Sequence, residues 1–179
     1  EIREVFERAC GSIESCDLMT SYRSSPEITA LFTSLLDDEK RVRVESVQPA
    51  GTDPVIIECA DDVDYAAQLR AAVEEALEDR CLAAIIAPDA RRMAKLEDML
   101  GGLPIVIPAR KEAIPDHGVV LLDIDLAKGL EFDQVIVPDV QQRSYPDETL
   151  ARHRLYTAIS RATRKVTLIA NGKLTKLLG

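Results

Sequence analysis

Helical and strand-like patterns of apolar residues alternate along this chain, separated by short polar turns. The clearest helix is predicted for residues 61–79, where apolar positions share one face and Asp61 or Asp62 caps the first turn. Other helices are predicted at 1–10, 26–36, 89–100, 149–162 and 174–178. Strands are predicted at 17–21, 41–46, 55–59, 81–87, 105–107, 119–124, 135–137 and 166–170.

The order of these elements predicts the fold class. Strands that alternate with helices form βαβ units, which build a parallel sheet covered on both faces. We therefore predict an α/β fold with three αβα layers and a mostly parallel central sheet, in a single domain over residues 1–179. Ligands of such sheets usually bind at the carboxyl ends of the strands, so the functional loops are expected at that edge.

Composition excludes several classes of protein. Hydrophobic residues make up 46% and charged residues 30% of the chain, as in ordinary globular domains. No apolar run approaches the ~20 residues of a membrane span, and no signal peptide is visible, so we expect a cytoplasmic protein. The four cysteines lack metal-site spacing and are predicted to be free thiols, with no metal bound.

The charge distribution leaves two interpretations open. A net charge of −9 argues against a general nucleic-acid-binding surface. Residues 141–179, however, carry eight Lys and Arg against Asp147 and Glu148. This excess fits either a local basic face or an ordinary solvated helix and strand.

Three short segments contain residue types that handle nucleotide phosphates. Residues 127–133 (AKGLEFD) place a lysine, a glycine and a carboxylate between two strand-like runs, and residues 156–162 (YTAISRA) end a helix with an arginine. Residues 18–26 (LMTSYRSSP) place Tyr-Arg-Ser before a helix. Glycine lets a backbone approach a phosphate, and guanidinium forks onto its oxygens. No Gly-x-x-x-x-Gly-Lys-Ser/Thr phosphate loop occurs in the chain.

In this order, the segments resemble motifs IV, V and VI of superfamily 1 helicases of the UvrD/Rep/helicase IV type. The resemblance spans residues 18–162 and implies the C-terminal RecA-like motor domain, called 2A. It implies ATP and Mg²⁺ as cofactors, with the Mg²⁺ ligands on an N-terminal RecA-like domain that this sequence lacks. It also implies ATP hydrolysis coupled to movement on single-stranded DNA, and we expect this domain to be inactive alone.

The resemblance also implies roles for individual residues. Arg161 matches the catalytic arginine finger; alternatively, it is an arginine that favours the end of a helix. Tyr22 would stack on adenine and Arg23 would reach the γ-phosphate; the alternative is a packed tyrosine beside a surface arginine.

Three further matches lie in the motif V segment. Gly129 would let the backbone approach a phosphate, and Glu131 would accept hydrogen bonds from the ribose hydroxyls unless it is a solvated carboxylate. Lys128 would contact phosphate or brace the loop against the other motor domain, and the sequence does not decide between these. Tyr145 and Tyr156 are expected to be packing residues.

The chain departs from UvrD and Rep in two ways. About ninety residues, fully accounted for by the βα pattern, separate motif IV from motif V, so no large 2B-type insertion is expected. Asp123 and Asp125 replace a Thr-x-His pair that contacts single-stranded DNA in those helicases, and carboxylates would repel the DNA backbone. Alternatively, these aspartates cap the loop or pair with Lys128.

This departure leads to a second interpretation of the function. The same ATPase domain would serve a helicase-like factor that binds and remodels or recycles RNA polymerase. The acidic net charge and the two aspartates suit that partner better than DNA.

Overall fold

The computed structural model describes residues 20–21, 23–36 and 45–179, together with Ala9 and Gly11. Tyr22 and the helix predicted at 1–10 therefore lie outside the described residues, as do most of the strands predicted at 17–21 and 41–46.

Eight strands are present in the described residues. They are β1 (Thr20–Ser21), β2 (Glu45–Ser46), β3 (Val55–Cys59), β4 (Leu82–Ala87), β5 (Ile105–Val106), β6 (Gly118–Asp123), β7 (Phe132–Pro138) and β8 (Ala162–Asn171). Strands β3 to β8 form one sheet in the order β3-β8-β7-β4-β6-β5, and β1 pairs with β2 separately. All of these pairings are parallel.

Five α-helices connect the strands within residues 20–21, 23–36 and 45–179. They are α1 (Pro26–Ser34), α2 (Asp62–Glu78), α3 (Ala90–Met99), α4 (Ile124–Ala127) and α5 (Thr149–Ile159), with 3₁₀ turns at Lys111–Ala113 and Lys176–Leu178. Local sequence explains where they begin. Asp61 accepts hydrogen bonds from the backbone N–H groups of Val63 and Asp64, and proline opens α1.

Two apolar clusters sandwich the sheet. On one face, residues of α1, α4 and α5 join strand residues in one apolar cluster that includes Ile28, Leu155 and Val120 of β6, all three fully buried. On the other face, α2 and α3 pack Leu69 and Leu96 against strand residues such as Ile85. The central strands are apolar almost throughout because both faces are covered. The predicted three-layer α/β fold is confirmed, with a central sheet that is parallel in all its described pairings.

The element boundaries differ from the prediction in particular places. Strands β7 and β8 are longer than predicted, because a polar first half of β8 (Ala162–Lys165) still pairs with β7. The short helix α4 was not predicted, and the predicted helix at 174–178 is a 3₁₀ turn at Lys176–Leu178. Periodicity does not reveal helices of one turn.

The predicted position of the motif loops at the carboxyl edge is wrong. Glu131 directly precedes β7 and Arg161 directly precedes β8, so both lie at the amino ends of their strands. In a parallel sheet all amino ends share one edge, opposite the one that the general rule for α/β ligands indicates. The carboxyl edge instead carries the loops after β4, β6 and β7.

Within the described residues, no helix has both the length and the apolar character needed to cross a membrane.

Candidate functional site

Three of the sequence-predicted site residues meet at the amino ends of β7 and β8. Arg23 Nε lies 2.5 Å from Glu131 Oε1, and both side chains are about half exposed, at 43% and 49%. Arg161 lies close enough for the charges of Arg23 and Glu131 to influence it. These three residues, called the arginine cluster below, come from three distant parts of the chain.

The segment before α1 holds Arg23 in this position. Ser24 Oγ donates a hydrogen bond of 2.6 Å to the carbonyl of Ala162, and the Ser25 N–H donates to the carbonyl of Thr163 at 3.1 Å. Both acceptors belong to the start of β8. The residue after the predicted Tyr-Arg pair is therefore fixed to the strand that follows Arg161.

The Arg161 guanidinium is oriented by its own domain. Nε donates to the carbonyl of Thr157, Nη1 to that of Leu130 and Nη2 to Ser160 Oγ, each at 3.2 Å. These bonds use three of the five N–H donors of an arginine and leave one donor on each terminal nitrogen. The side chain is thus held in place while two donors stay available for an anion.

The electrostatics of the cluster favour an anionic ligand. The pKa of Arg161 is lowered, first by partial burial and then by the positive charge of Arg23, while Glu131 acts in the opposite direction. Two guanidinium groups therefore share one carboxylate. A negative group placed between them would relieve their repulsion.

The loop before Glu131 depends on Gly129. This glycine has φ +78°, in the left-handed region that other residues rarely adopt. The neighbouring Leu130 N–H donates to the carbonyl of Ala127 at 3.1 Å, which closes the turn. The turn brings Glu131 to the start of β7.

Lys128 does not join the arginine cluster. Its Nζ lies 2.7 Å from Asp125 Oδ1, and both side chains are well exposed. Its carbonyl instead accepts a hydrogen bond from Lys111 Nζ, which also lies beside Gly129. Sequence reasoning missed Lys111, because the segment that contains it has no periodicity or motif.

Asp123 and Asp125 take the structural roles that were weighed against DNA repulsion. Asp123 caps α4 by accepting a 2.9 Å hydrogen bond from the Leu126 N–H. The hydrogen bond from Lys128 and its charge lower the pKa of Asp125. One aspartate caps the loop and the other pairs with Lys128.

The two tyrosines expected to pack do so. Tyr145 is fully buried, and Tyr156 packs edge-on against Phe32 with ring centroids 5.2 Å apart. Because Tyr145 is fully enclosed, it has no free face for a base.

A cavity of about 680 Å³ also lies at the amino edge. It lies between the loop 48–52 and the starts of β4, β7 and β8, and its lining includes Asp79, Asp133 and Cys81. Burial is the main cause that raises the pKa of Cys81, so its thiol stays protonated and is a poor nucleophile. In the part of the chain that is described, no group of three or more His, Cys, Asp or Glu residues could hold a metal ion.

Comparison with known proteins gives a consistent result. Residues 118–169 match the model of the UvrD-like helicase C-terminal domain, and this range contains both segments compared above with motifs V and VI. The crystal structure of the C-terminal domain of a possible DNA helicase from Lactobacillus plantarum WCFS1 is similar, with a TM-score of 0.74. It shares 28% sequence identity and covers 89% of this chain and 92% of its own. These findings confirm the resemblance to the C-terminal domain of UvrD-like helicases.

Two other comparisons add nothing to this assignment. A CRISPR-associated protein has a TM-score of 0.43 and 15% identity, over 68% of this chain and 17% of that one, too weak a likeness to support an argument. No curated protein matches the chain.

Proposed function

Because the chain matches the C-terminal domain of UvrD-like helicases, we propose that the arginine cluster is one wall of the ATP site of a DNA helicase motor. An N-terminal RecA-like domain would supply the other wall, with the phosphate loop and the Mg²⁺ ligands. The observation that carries the proposal is the meeting of Arg23, Glu131 and Arg161 at one edge of the sheet.

The donors at this edge suit a triphosphate. Arg161 has one N–H left on each terminal nitrogen, so it can fork onto two oxygens of the transferred phosphoryl group and stabilise its developing charge. Arg23 would leave Glu131 to reach the γ-phosphate. Glu131, once released, would accept hydrogen bonds from the ribose hydroxyls.

The remaining sequence-predicted residues have different positions in this proposal. Gly129 shapes the turn that positions Glu131, and Tyr22 is proposed to stack on the adenine ring. Lys128 points to Asp125, so bracing of the loop fits its position better than phosphate contact.

We further propose that the site couples hydrolysis to movement on single-stranded DNA. Arg23 and Arg161 would draw this domain toward the bound triphosphate and release it after hydrolysis. Such closing and opening of a cleft between two domains is a common way to drive a stepwise motion.

The ATPase of the full-length protein tests this function. Its rate should rise strongly with single-stranded DNA at low salt and fall as salt increases, because cations that contact phosphates release counterions from the DNA. An ATPase that ignores single-stranded DNA at low salt would contradict the DNA motor.

A role on RNA polymerase remains the alternative if that happens. Its main support from sequence was the pair Asp123 and Asp125. Since Asp123 caps α4 and Asp125 pairs with Lys128, the argument now depends on the net charge of −9. An ATPase stimulated by RNA polymerase and indifferent to DNA would support this alternative.

A further inference from the structure

A second concentration of positive charge lies at the opposite edge of the sheet. Two adjoining cavities of about 200 and 280 Å³ open where β4 and β7 end. Five lining residues are common to both cavities: Arg91, Arg92, Lys95, Arg143 and Ser144. No residue of the arginine cluster lines these cavities, because that cluster lies at the amino ends of the strands.

The fold positions three exposed cations around these cavities. Arg91 and Lys95 are four residues apart on α3, so they project from the same face of that helix. Arg143 comes from the turn after β7, which is closed by a 3.0 Å hydrogen bond from the Ser144 N–H to the carbonyl of Gln141. Arg91, Lys95 and Arg143 are called the basic pocket below.

Nearby carboxylates neutralise the basic pocket only in part. Asp139 is fully buried and is bound by both Nε and Nη2 of Arg92, so this pair cancels internally. Asp89 lines one cavity and caps α3 by accepting the Arg92 backbone N–H at 2.7 Å; it keeps its negative charge, so three cations face one carboxylate. Across residues 45–179, Arg91, Lys95 and Arg143 form no ion pair with a carboxylate.

The basic pocket thus keeps an excess of positive charge in a protein whose net charge is −9. Like charges in proximity repel one another, and an anion that binds among them removes that cost. The basic pocket therefore has the electrostatics of an anion-binding site.

We propose that the basic pocket binds the phosphodiester backbone of single-stranded DNA; this deepens the proposed function and rests on it for the choice of DNA. Each cavity is smaller than the roughly 300–1,000 Å³ of sites that enclose a small molecule, so a strand crossing the surface fits better than a free nucleotide. Neither lining contains an aromatic side chain for a base to stack on. Flexible exposed cations suit phosphate contacts, which position a strand without reading its sequence.

This assignment also accounts for the aspartates that replace the Thr-x-His pair. Asp123 ends β6, which lies next to β4 in the sheet, so it shares the carboxyl edge with the basic pocket. The strand would be held by Arg91, Lys95 and Arg143 rather than by the loop after β6.

The test is binding of labelled oligothymidylate to the full-length protein without nucleotide, followed by fluorescence anisotropy over a range of salt. A triple variant, Arg91→Gln with Lys95→Gln and Arg143→Gln, removes the basic pocket. For this variant, the slope of the logarithm of the association constant K against the logarithm of the salt concentration should be shallower by about 2, because each of the three lost phosphate contacts contributes about 0.7. With an unchanged non-electrostatic component, this corresponds to about 100-fold weaker binding at 0.1 M salt.

Two matched variants separate the pocket from net charge and from misfolding. Arg80→Gln with Arg110→Gln and Arg164→Gln removes the same charge from exposed residues outside both cavities, and should bind like the wild type. Arg91→Lys with Arg143→Lys keeps the charge and should retain most of the binding. An unchanged unfolding midpoint in the triple variant shows that the fold is intact.

Three results would overturn the proposal. They are wild-type binding by the triple variant, an equal loss in the control variant, and full competition by inorganic phosphate, which would indicate a small-anion site. The result is independent of the ATP site, because ATP hydrolysis without DNA should be unchanged in the triple variant. A wild-type protein that does not hydrolyse ATP would contradict the proposed motor. The effect of the triple variant on DNA binding could still be interpreted in that case.

Discussion

At the residue scale, the bonds of Arg161 make a specific prediction about hydrolysis. If Arg161 is the proposed arginine finger, Arg161→Ala in the full-length protein should reduce turnover by about 10³-fold or more, as is typical of arginine fingers. Binding of ATP should weaken much less, because the guanidinium acts mainly on charge that develops during transfer. Steady-state ATPase assays and nucleotide titrations measure the two effects separately.

A conservative substitution distinguishes this role from a structural one. Arg161→Lys keeps the positive charge, but one ammonium nitrogen with three N–H donors cannot bond Thr157 and Leu130 and also fork onto two phosphate oxygens, so it should rescue little turnover. Near-normal turnover by Arg161→Lys would show that the residue only ends α5 and closes the contact with the loop before β7.

Charged residues that the sequence marks out within short motifs come together in the fold, while their proposed roles stay predictions. Arg23, Glu131 and Arg161 were all identified from short segments, and the structure brings them together. Lys111 was missed because nothing local relates it to Gly129, which it meets only through the fold. The roles of Asp123 and Asp125 stayed open because an aspartate that caps a helix and one that faces a ligand look the same in a sequence.

At the element scale, one buried ion pair joins α3 to the end of β7. Asp139 has φ +60° and no exposure, and Arg92 reaches it from α3 with two nitrogens. Burial alone would lower the pKa of Arg92, but the Asp139 carboxylate more than offsets it, so the pKa is raised. The pair underlies the cavities of the basic pocket.

Breaking this pair should destabilise the domain strongly. Asp139→Ala leaves the Arg92 charge without its partner, which costs about 3 kcal/mol, the lower end for buried pairs because the Arg92 side chain keeps 22% exposure. For a domain of this size, that corresponds to a fall of about 6–12 °C in Tm. Thermal unfolding followed by circular dichroism measures the change.

Asp147→Ala is the matched control for that experiment. Asp147 pairs with Arg152 at 3.1 Å, but its side chain is 54% exposed, so the loss should barely move Tm. Equal effects of the two substitutions would mean that the Asp139 pair contributes no more than a surface pair.

The boundaries of helices and strands show what the pattern of apolar residues cannot predict. Helices α2 and α3 were predicted closely. Asp61 caps α2, as the sequence suggested, and Asp89, predicted as the first residue of a helix, is the cap of α3. Strand β8 was predicted only where its residues are apolar, although its polar first half is held by backbone hydrogen bonds to β7. Those bonds depend on the partner strand, and the sequence of β8 does not encode them.

At the scale of the whole molecule, two positively charged candidate sites lie at opposite edges of the sheet. The arginine cluster lies at the amino ends of the strands and the basic pocket at the carboxyl ends. The general rule for α/β ligands predicted the wrong edge for the motif loops, although the sequence already places Glu131 and Arg161 immediately before strands. Whether a residue comes directly before or directly after a strand was the better guide. In a parallel sheet, residues directly before strands lie at the amino edge and residues directly after them lie at the carboxyl edge.

This separation leads to a last prediction, for residues 1–179 as an isolated domain. The domain should not hydrolyse ATP and should bind it weakly, because it offers only one wall of the proposed site and no phosphate loop. Adding the N-terminal RecA-like domain in trans should restore some turnover. The same domain with Arg161→Ala should restore none, since the missing guanidinium is the part that this wall contributes to the transition state. Phosphate release measured with purified domains, alone and mixed, gives the answer. Mg²⁺-dependent turnover by the isolated domain that disappears with Arg161→Ala would show that this chain holds a complete site, whereas turnover that survives the substitution points to a contaminating ATPase.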